Sequence, residues 1–278
     1  MLLLTYRSGA GETTAARLEG DELVVLPYAD VGALLNQPGW RDLAEADGPR
    51  QPYEPKQVGP LVPRPPKIWC VGMNYASHLA ETSQPNPAYP ALFGKFAAAL
   101  TGPFDPIPLP PVSERVDWEV ELAVVIGRGG RSVDAADAMS HVAGYSVVND
   151  VSMRDWQRRT GQYLQGKTFG ACTPFGPHLV TVDEAPDPDE GIGLSCTVNG
   201  EVVQSGKTDE MVFGVRDLVA YVSEIAPLEP GDVIATGTPA GIGALREPPR
   251  FLRPGDVVEC AVDGIGILRN VCAEGEPR

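Results

Sequence analysis

The stretch VDWEVELAVV, residues 116 to 125, puts Asp117, Glu119 and Glu121 at every second position directly before an apolar run. Side chains alternate faces along an extended strand, so the three carboxylates share one face while Trp118, Val120 and Leu122 share the other. A solvated acidic face is the plain explanation, yet Ala123 to Ile126 is apolar on both faces, which carries the strand into a core. Carboxylates two residues apart on one face, partly desolvated, repel each other unless a cation lies between them, and a hard divalent ion relieves that conflict. Two strand carboxylates leave such a site incomplete. The best third donor is Asp150, at the end of the apolar stretch GYSVVND and just ahead of a helical one; a turn aspartate is the bland alternative. Ser152 and Asp155 have capping-box spacing, which gives Asp155 a structural role and leaves Asp150 without one. A helix beginning there brings Arg154 and Gln157 to the same strand end, where they can meet a carboxylate ligand.

Three further groups carry chemistry. In GMNYASHLAE a helical turn over 75 to 81 places His78 and Glu81 on one face. Such a pair works as a base with its orienting carboxylate, although a simple surface helix pair is commoner. The chain has three histidines, and His141 and His178 lack comparable context, so His78 is the leading general base. Lys167, in the glycine-rich LQGKTFG, can stabilise a developing enolate or bind a carboxylate, or serve only as a surface charge. In DVIATGTPAGIG, Gly237 and Thr238 suit an anion-binding turn, with an ordinary loop between strands as the alternative. No dinucleotide fingerprint or P-loop occurs.

The elements that must position these residues are mostly strands: KIWCVG, DWEVELAVVIG, AGYSVVND, HLVTV, LSCTVNGEVV, DVIATG and DVVECAVDGIGILRNVC. Short helices are expected around 74–81, 134–140, 152–160 and 211–225. Residues 1–60 read as a small N-terminal α+β domain, with strands in MLLLTY and DELVVLPY and a helical stretch from Asp30 to Leu43, closed by a proline-rich, extended connector over 48–67. Residues 61–278 form the main domain, a mixed fold that is mostly β.

With 37 acidic against 22 basic side chains and a net charge of -15, the chain is expected to repel nucleic acid and anionic membrane surfaces. The same field repels an anionic small substrate unless a metal ion or local Arg and Lys groups reverse its sign. Five widely spaced cysteines without zinc spacing, a start too short for a signal peptide and no run of membrane-span length lead to an expected cytoplasmic location.

Six motifs in order, Gly72 to Glu81, Phe93-Gly94-Lys95-Phe96, Asp117 to Leu122, Asn149 to Gln157, Gly166 to Phe169 and Thr236 to Gly241, resemble the fumarylacetoacetate hydrolase family, in its branch of small acylpyruvate hydrolases, oxaloacetate decarboxylases and 2-hydroxyhepta-2,4-diene-1,7-dioate isomerases. The similarity runs from about Lys67 to Val271. It implies a β-roll or sandwich catalytic domain, usually in a homodimer. It also implies Glu119, Glu121 and Asp150 as ligands of Mg²⁺ or Mn²⁺, His78 and Glu81 as a water-activating pair on a mobile lid, and Lys167, Gln157 and Thr238 as polar substrate positions. On that basis the first expectation is hydrolysis of a carbon–carbon bond in acylpyruvate-like 2,4-dioxo acids, as in aromatic-compound catabolism. There the acid is held through its C1 carboxylate and C2 oxygen, and the departing enolate is stabilised by the metal and Lys167. Decarboxylation of an oxaloacetate-type 2-oxo acid, or isomerisation, uses the same enolate and ranks second. A non-catalytic, metal-stabilised protein ranks third.

Overall fold

A computed structural model describes residues 1–9 and 11–275; the last three residues of the expected 61–278 domain lie outside the described residues. The chain opens with β1 (Leu2–Arg7), β2 (Thr13–Glu19) and β3 (Glu22–Val25), then α1 (Val31–Leu35), α2 (Trp40–Glu45) and β4 (Arg50–Pro52). Next come β5 (Ile68–Gly72), α3 (Ala76–Thr82), β6 (Ala91–Gly94), β7 (Leu100–Thr101) and β8 (Ile107–Leu109). The acidic stretch supplies β9 (Val116–Asp117) and β10 (Val120–Ile126), followed by β11 (Val142–Asn149), β12 (Ser152–Met153), α4 (Arg154–Gln157), α5 (Leu164–Lys167) and β13 (Thr173–Thr181). The remaining elements are β14 (Gly193–Val198), β15 (Glu201–Lys207), α6 (Val215–Ile225), β16 (Val233–Ala235), β17 (Val257–Val262) and β18 (Gly266–Glu274). Short helices thus join a mixed, mostly β architecture, as expected.

Most strands enter an 11-stranded sheet ordered β4-β3-β2-β1-β13-β11-β10-β16-β5-β6, with β7 beside β13, and a second sheet of five runs β15-β14-β17-β18-β8. Alternation along β10 decides what lies between them. Val120, Leu122, Val124 and Ile126 join Leu194, Cys196, Val258, Leu268 and the buried face of α6 in one core, while Ala123 and Val125 turn the other way, toward Leu34, Trp40 and Phe175. Fully burying a leucine of this kind stabilises by about 1.5–3 kcal/mol, and truncating Leu122 to alanine costs about 2–5 kcal/mol once the residual cavity is included. Glu121 continues the second face of β10 beyond Ala123, so the apolar strand delivers a carboxylate into a covered position. No helix among the described residues is long and apolar enough to cross a membrane.

Several local expectations change. The strand expected through DWEVELAVVIG breaks at Trp118 and Glu119, and β9 pairs with β12 instead of the main sheet. The capping box does not form: Ser152 is still in a strand and donates to the Asp150 carbonyl at 3.0 Å, and α4 starts without a side-chain cap. Asp155 instead accepts from Ser113 Oγ at 2.6 Å. Over 134–140 only a 3₁₀ turn, Ala138–His141, is present; its small and acidic side chains offer little apolar surface to repay helix nucleation. The proline-rich stretch 48–67 includes β4, an edge strand on β3, where proline costs no ladder bond. The first four strands share the large sheet with β13 through the β1 pairing.

Candidate active site

Glu119, Glu121 and Asp150 come together at the open ends of β10 and β11. Each offers one carboxylate oxygen within 4.8 Å of the others, and all three are buried. The backbone locks this corner: the Asp150 amide donates to the Glu119 carbonyl at 2.9 Å, and the Glu119 amide donates to Asn149 Oδ1 at 3.0 Å. Cations surround two of the three acids. Lys167 Nζ donates to Glu119 Oε2 at 2.6 Å and to Asp150 Oδ2 at 2.5 Å, Lys95 Nζ bonds Asp150 Oδ1, and Arg154 Nη2 lies 2.7 Å from Glu119 Oε1. Glu121 has no ion-pair partner among the described residues; it accepts from the Gly237 amide at 2.9 Å.

That asymmetry sets the electrostatics. Burial alone would raise the Glu119 carboxyl, but Lys167 and Arg154 overcome it and hold it at about 2. Burial also raises Glu121, and there Asp150 and Glu119 add to the effect, so it stands well above the usual carboxylate range. Burial opposes the charge on Lys167, and Asp150 and Glu119 outweigh it, leaving the ammonium above its ordinary value. A buried carboxylate with no cation beside it, facing two others, suits a divalent ion, and the all-oxygen donor set suits Mg²⁺ or Mn²⁺.

Asp117, expected on the same face as the glutamates, leaves the group because of the break at Trp118. It is fully buried and accepts from Arg154 Nε at 2.8 Å, Gly243 N at 2.7 Å and Ala244 N at 3.0 Å. With Asp117 counted, four carboxylates meet three cations, Lys95, Arg154 and Lys167, which leaves one negative charge over when Glu121 is ionised. A divalent ion turns that balance to one positive charge, the sign an anionic substrate needs in so acidic a chain.

His78 and Glu81 lie on one face of α3, as their spacing requires, with Nδ1 3.0 Å from Glu81 Oε2. Glu81 Oε1 in turn accepts from the Gly241 amide at 3.1 Å. Gly241 has φ +103°, and a Cβ there would stand 2.1 Å from the Val203 carbonyl, so the turn that anchors Glu81 admits only glycine. Asn74 fixes the start of α3, donating to the Thr236 carbonyl at 2.8 Å and accepting from Phe213 N at 2.9 Å. Just before it Met73 adopts φ 57°, a left-handed conformation costing on the order of 1 kcal/mol for a side chain of this kind.

A cavity of ≈ 70 Å³ is lined by His78, Glu119, Glu121, Arg154, Gln157 and Lys167, with Thr238 and Met73 on its wall. A wider chamber of ≈ 350 Å³ shares His78, Arg154, Gln157 and Tyr163 with it and opens outward. Gln157 accepts from Arg154 Nη1 at 3.0 Å through its oxygen, which leaves its amide nitrogen as a donor. The Thr238 hydroxyl already donates to the Val120 carbonyl and accepts from Gln204, both at 2.8 Å, so it shapes the wall through the backbone of β10. Gly237 meets Glu121, not open space. Lys95 is a site residue that its sequence neighbours do not single out; the one signal it shares with Lys167 is a glycine directly before the lysine.

A buried carboxylate triad at the end of an apolar sheet, faced by a His–Glu pair and flanked by buried lysines, is a group of side chains that could hold a divalent cation. The chain belongs to the fumarylacetoacetate hydrolase family: the description "Fumarylacetoacetate (FAA) hydrolase C-terminal" matches residues 67–273. It is 54% identical to human "Oxaloacetate tautomerase FAHD2A, mitochondrial" over 211 residues, covering 75% of this chain and 67% of the relative. Among solved structures, 2-hydroxyhepta-2,4-diene-1,7-dioate isomerase from Mycobacterium marinum is similar with a TM-score of 0.80 at 31% identity, covering 100% of both chains. Maleylpyruvate hydrolase from Sphingobium sp. SYK-6, in complex with manganese(II) ion and pyruvate, has a TM-score of 0.82 at 28% identity, covering 99% of this chain and 100% of that one. The expected cytoplasmic location is overturned, because the human and bovine relatives at 53–54% identity are named mitochondrial. The five buried thiols are packed as small apolar groups and carry no information on the compartment.

Proposed function

We propose that this chain is a divalent-metal-dependent enzyme that enolises small 2-oxo acids, with keto–enol tautomerisation of an oxaloacetate-type acid as its reaction. The observation that carries the reading is that His78 and Lys167 line the same cavity as Glu119 and Glu121. Glu119, Glu121 and Asp150 would hold Mg²⁺ or Mn²⁺, which when bound supplies positive charge that attracts the acid and favours its enolate. His78, oriented by Glu81 through Nδ1, offers Nε2 to take the proton from the carbon beside the oxo group and to return one. Lys167 donates toward the oxygen on which negative charge grows. Gln157 gives its amide to the substrate carboxylate, whereas the charge of Arg154 is committed to Asp117 and Glu119.

The sequence ranked carbon–carbon hydrolysis first. Similarity to a tautomerase at 54% identity, against 28% for the hydrolase, supports the opposite order. Hydrolysis remains the second reading because the same His78–Glu81 pair suits activation of a water. Mg²⁺-loaded protein given oxaloacetate and acetylpyruvate separates these: the proposal requires interconversion of enol and ketone without loss of carbon. Faster release of pyruvate with acetate from acetylpyruvate would select hydrolysis, pyruvate with carbon dioxide from oxaloacetate would select decarboxylation, and no turnover of either would discard the enzymatic reading.

A further inference from the structure

Three arginines follow closely in RDWQRR, and the structure uses them differently. Arg154 is buried against Asp117 and Glu119. Arg159 places its guanidinium carbon over the Trp156 ring, 3.4 Å from the centroid. Arg158 is exposed, lines the outer chamber and makes no ion pair among the described residues. The chamber also takes walls from Ile242 and Leu245, and no Asp or Glu among the described residues lines it. In a chain with 37 acidic side chains that absence marks a local reversal of sign. The inner cavity, ≈ 70 Å³, has the volume of a few water molecules and suits the carboxylate and oxo end of an acid; the outer one, ≈ 350 Å³, leaves room for whatever that end carries.

We propose that the outer chamber is a second anion subsite in which Arg158 binds a carboxylate at the far end of the substrate, so that the protein prefers extended 2-oxo dicarboxylic acids over monoacids of equal length. This rests on the proposed function, which places the reacting end in the inner cavity. Arg158 is the specificity-determining residue: its planar fork matches a carboxylate bidentately, and a single unpaired guanidinium at the mouth of the site has no competing internal partner. Apolar Ile242 and Leu245 cover the chain between the two ends.

Calorimetry on the full, Mg²⁺-loaded chain tests the subsite with three ligands: oxalate, 2-oxohexanoate and 2-oxohexanedioate. Oxalate probes the inner cavity alone, and the two six-carbon acids differ only at the far end. The subsite predicts that the diacid binds about tenfold more tightly than the monoacid, a factor typical of one charge-assisted hydrogen-bonded contact. Arg158→Gln should abolish that ratio while leaving oxalate unchanged, and Arg158→Lys should keep part of it. Equal affinity for the two acids in the unaltered protein, or an Arg158→Gln variant that weakens all three ligands alike, would overturn the subsite. Failure of the unaltered protein to bind oxalate would instead remove the reading beneath it, and the subsite with it.

Discussion

The carboxylate triad and the His78–Glu81 pair face one cavity but are built in opposite ways. Of the triad Glu121 lies within β10, and Glu119 and Asp150 stand at the ends of the paired strands β10 and β11, each tied by a backbone bond and at least two cationic side chains. The pair stands on a seven-residue helix whose start Asn74 fixes, and the Glu81 carboxylate takes one contact beyond that helix, from the Gly241 turn. The first region holds buried charge in a frame tied to the backbone, and the second is a His–Glu pair whose carboxylate has one contact outside its helix. Damage to the triad should therefore appear in ion binding and stability, whereas damage to the pair should appear in turnover.

The largest expected effect comes from the triad. Glu119→Ala and Glu121→Ala should each lower kcat/KM by about 10³-fold or more and abolish the rise in melting temperature produced by Mg²⁺. Neutral isosteres sharpen the contrast within the triad in protein stripped of metal by a chelator. Glu119→Gln breaks a buried pair and should destabilise by about 3 kcal/mol. Glu121→Gln removes a carboxylate with no ion-pair partner among the described residues and should leave the melting temperature unchanged or higher. If both variants lose stability equally, the two glutamates are not in the different environments described.

His78→Ala comes next, with kcat expected to fall by about 10²–10⁴-fold while calorimetric Mg²⁺ binding stays intact. Gly241→Ala tests the single anchor of Glu81: backbone strain of about 1–3 kcal/mol should be accompanied by a drop in kcat near tenfold, with KM almost unmoved. A parallel loss of Mg²⁺ binding in either variant would show that the two regions are one. The smallest effect lies outside both. Burial lowers the pKa of His178 below its ordinary value of 6.5. The unfolded chain then binds a proton before the native one does as pH falls, so this group reduces stability on acidification below about pH 6.5. Denaturant titrations of His178→Gln should show a flatter decline there than the unaltered protein.

Much of the site is legible in the sequence because it follows from local periodicity. The alternation in VDWEVELAVV and the apolar run behind it place two carboxylates at the mouth of a buried strand, and the i, i+3 spacing of His78 and Glu81 survives into the contact between them. What is not legible depends on pairings far apart in the chain. Asp117 looks equivalent to the glutamates until the strand breaks at Trp118, and its partners Gly243 and Ala244 lie 126 and 127 residues away. Asp150 does meet the triad, although the capping box used to set Asp155 apart does not form. Lys95, though part of a motif, is not legible as a partner of the triad, because nothing near it in sequence reveals Asp150, 55 residues on. The same limit hid the way β1 to β4 join the large sheet, since the β1–β13 pairing spans most of the chain.

The most direct test of the whole account is the rate at which the enol of oxaloacetate disappears, followed by absorbance, in protein stripped of metal and then restored with Mg²⁺. The account requires a rate well above that of Mg²⁺ alone in buffer, lost on stripping, recovered on restoration, and absent from His78→Ala that still binds the ion. A rate indifferent to the chelator, or one that His78→Ala retains in full, would contradict it.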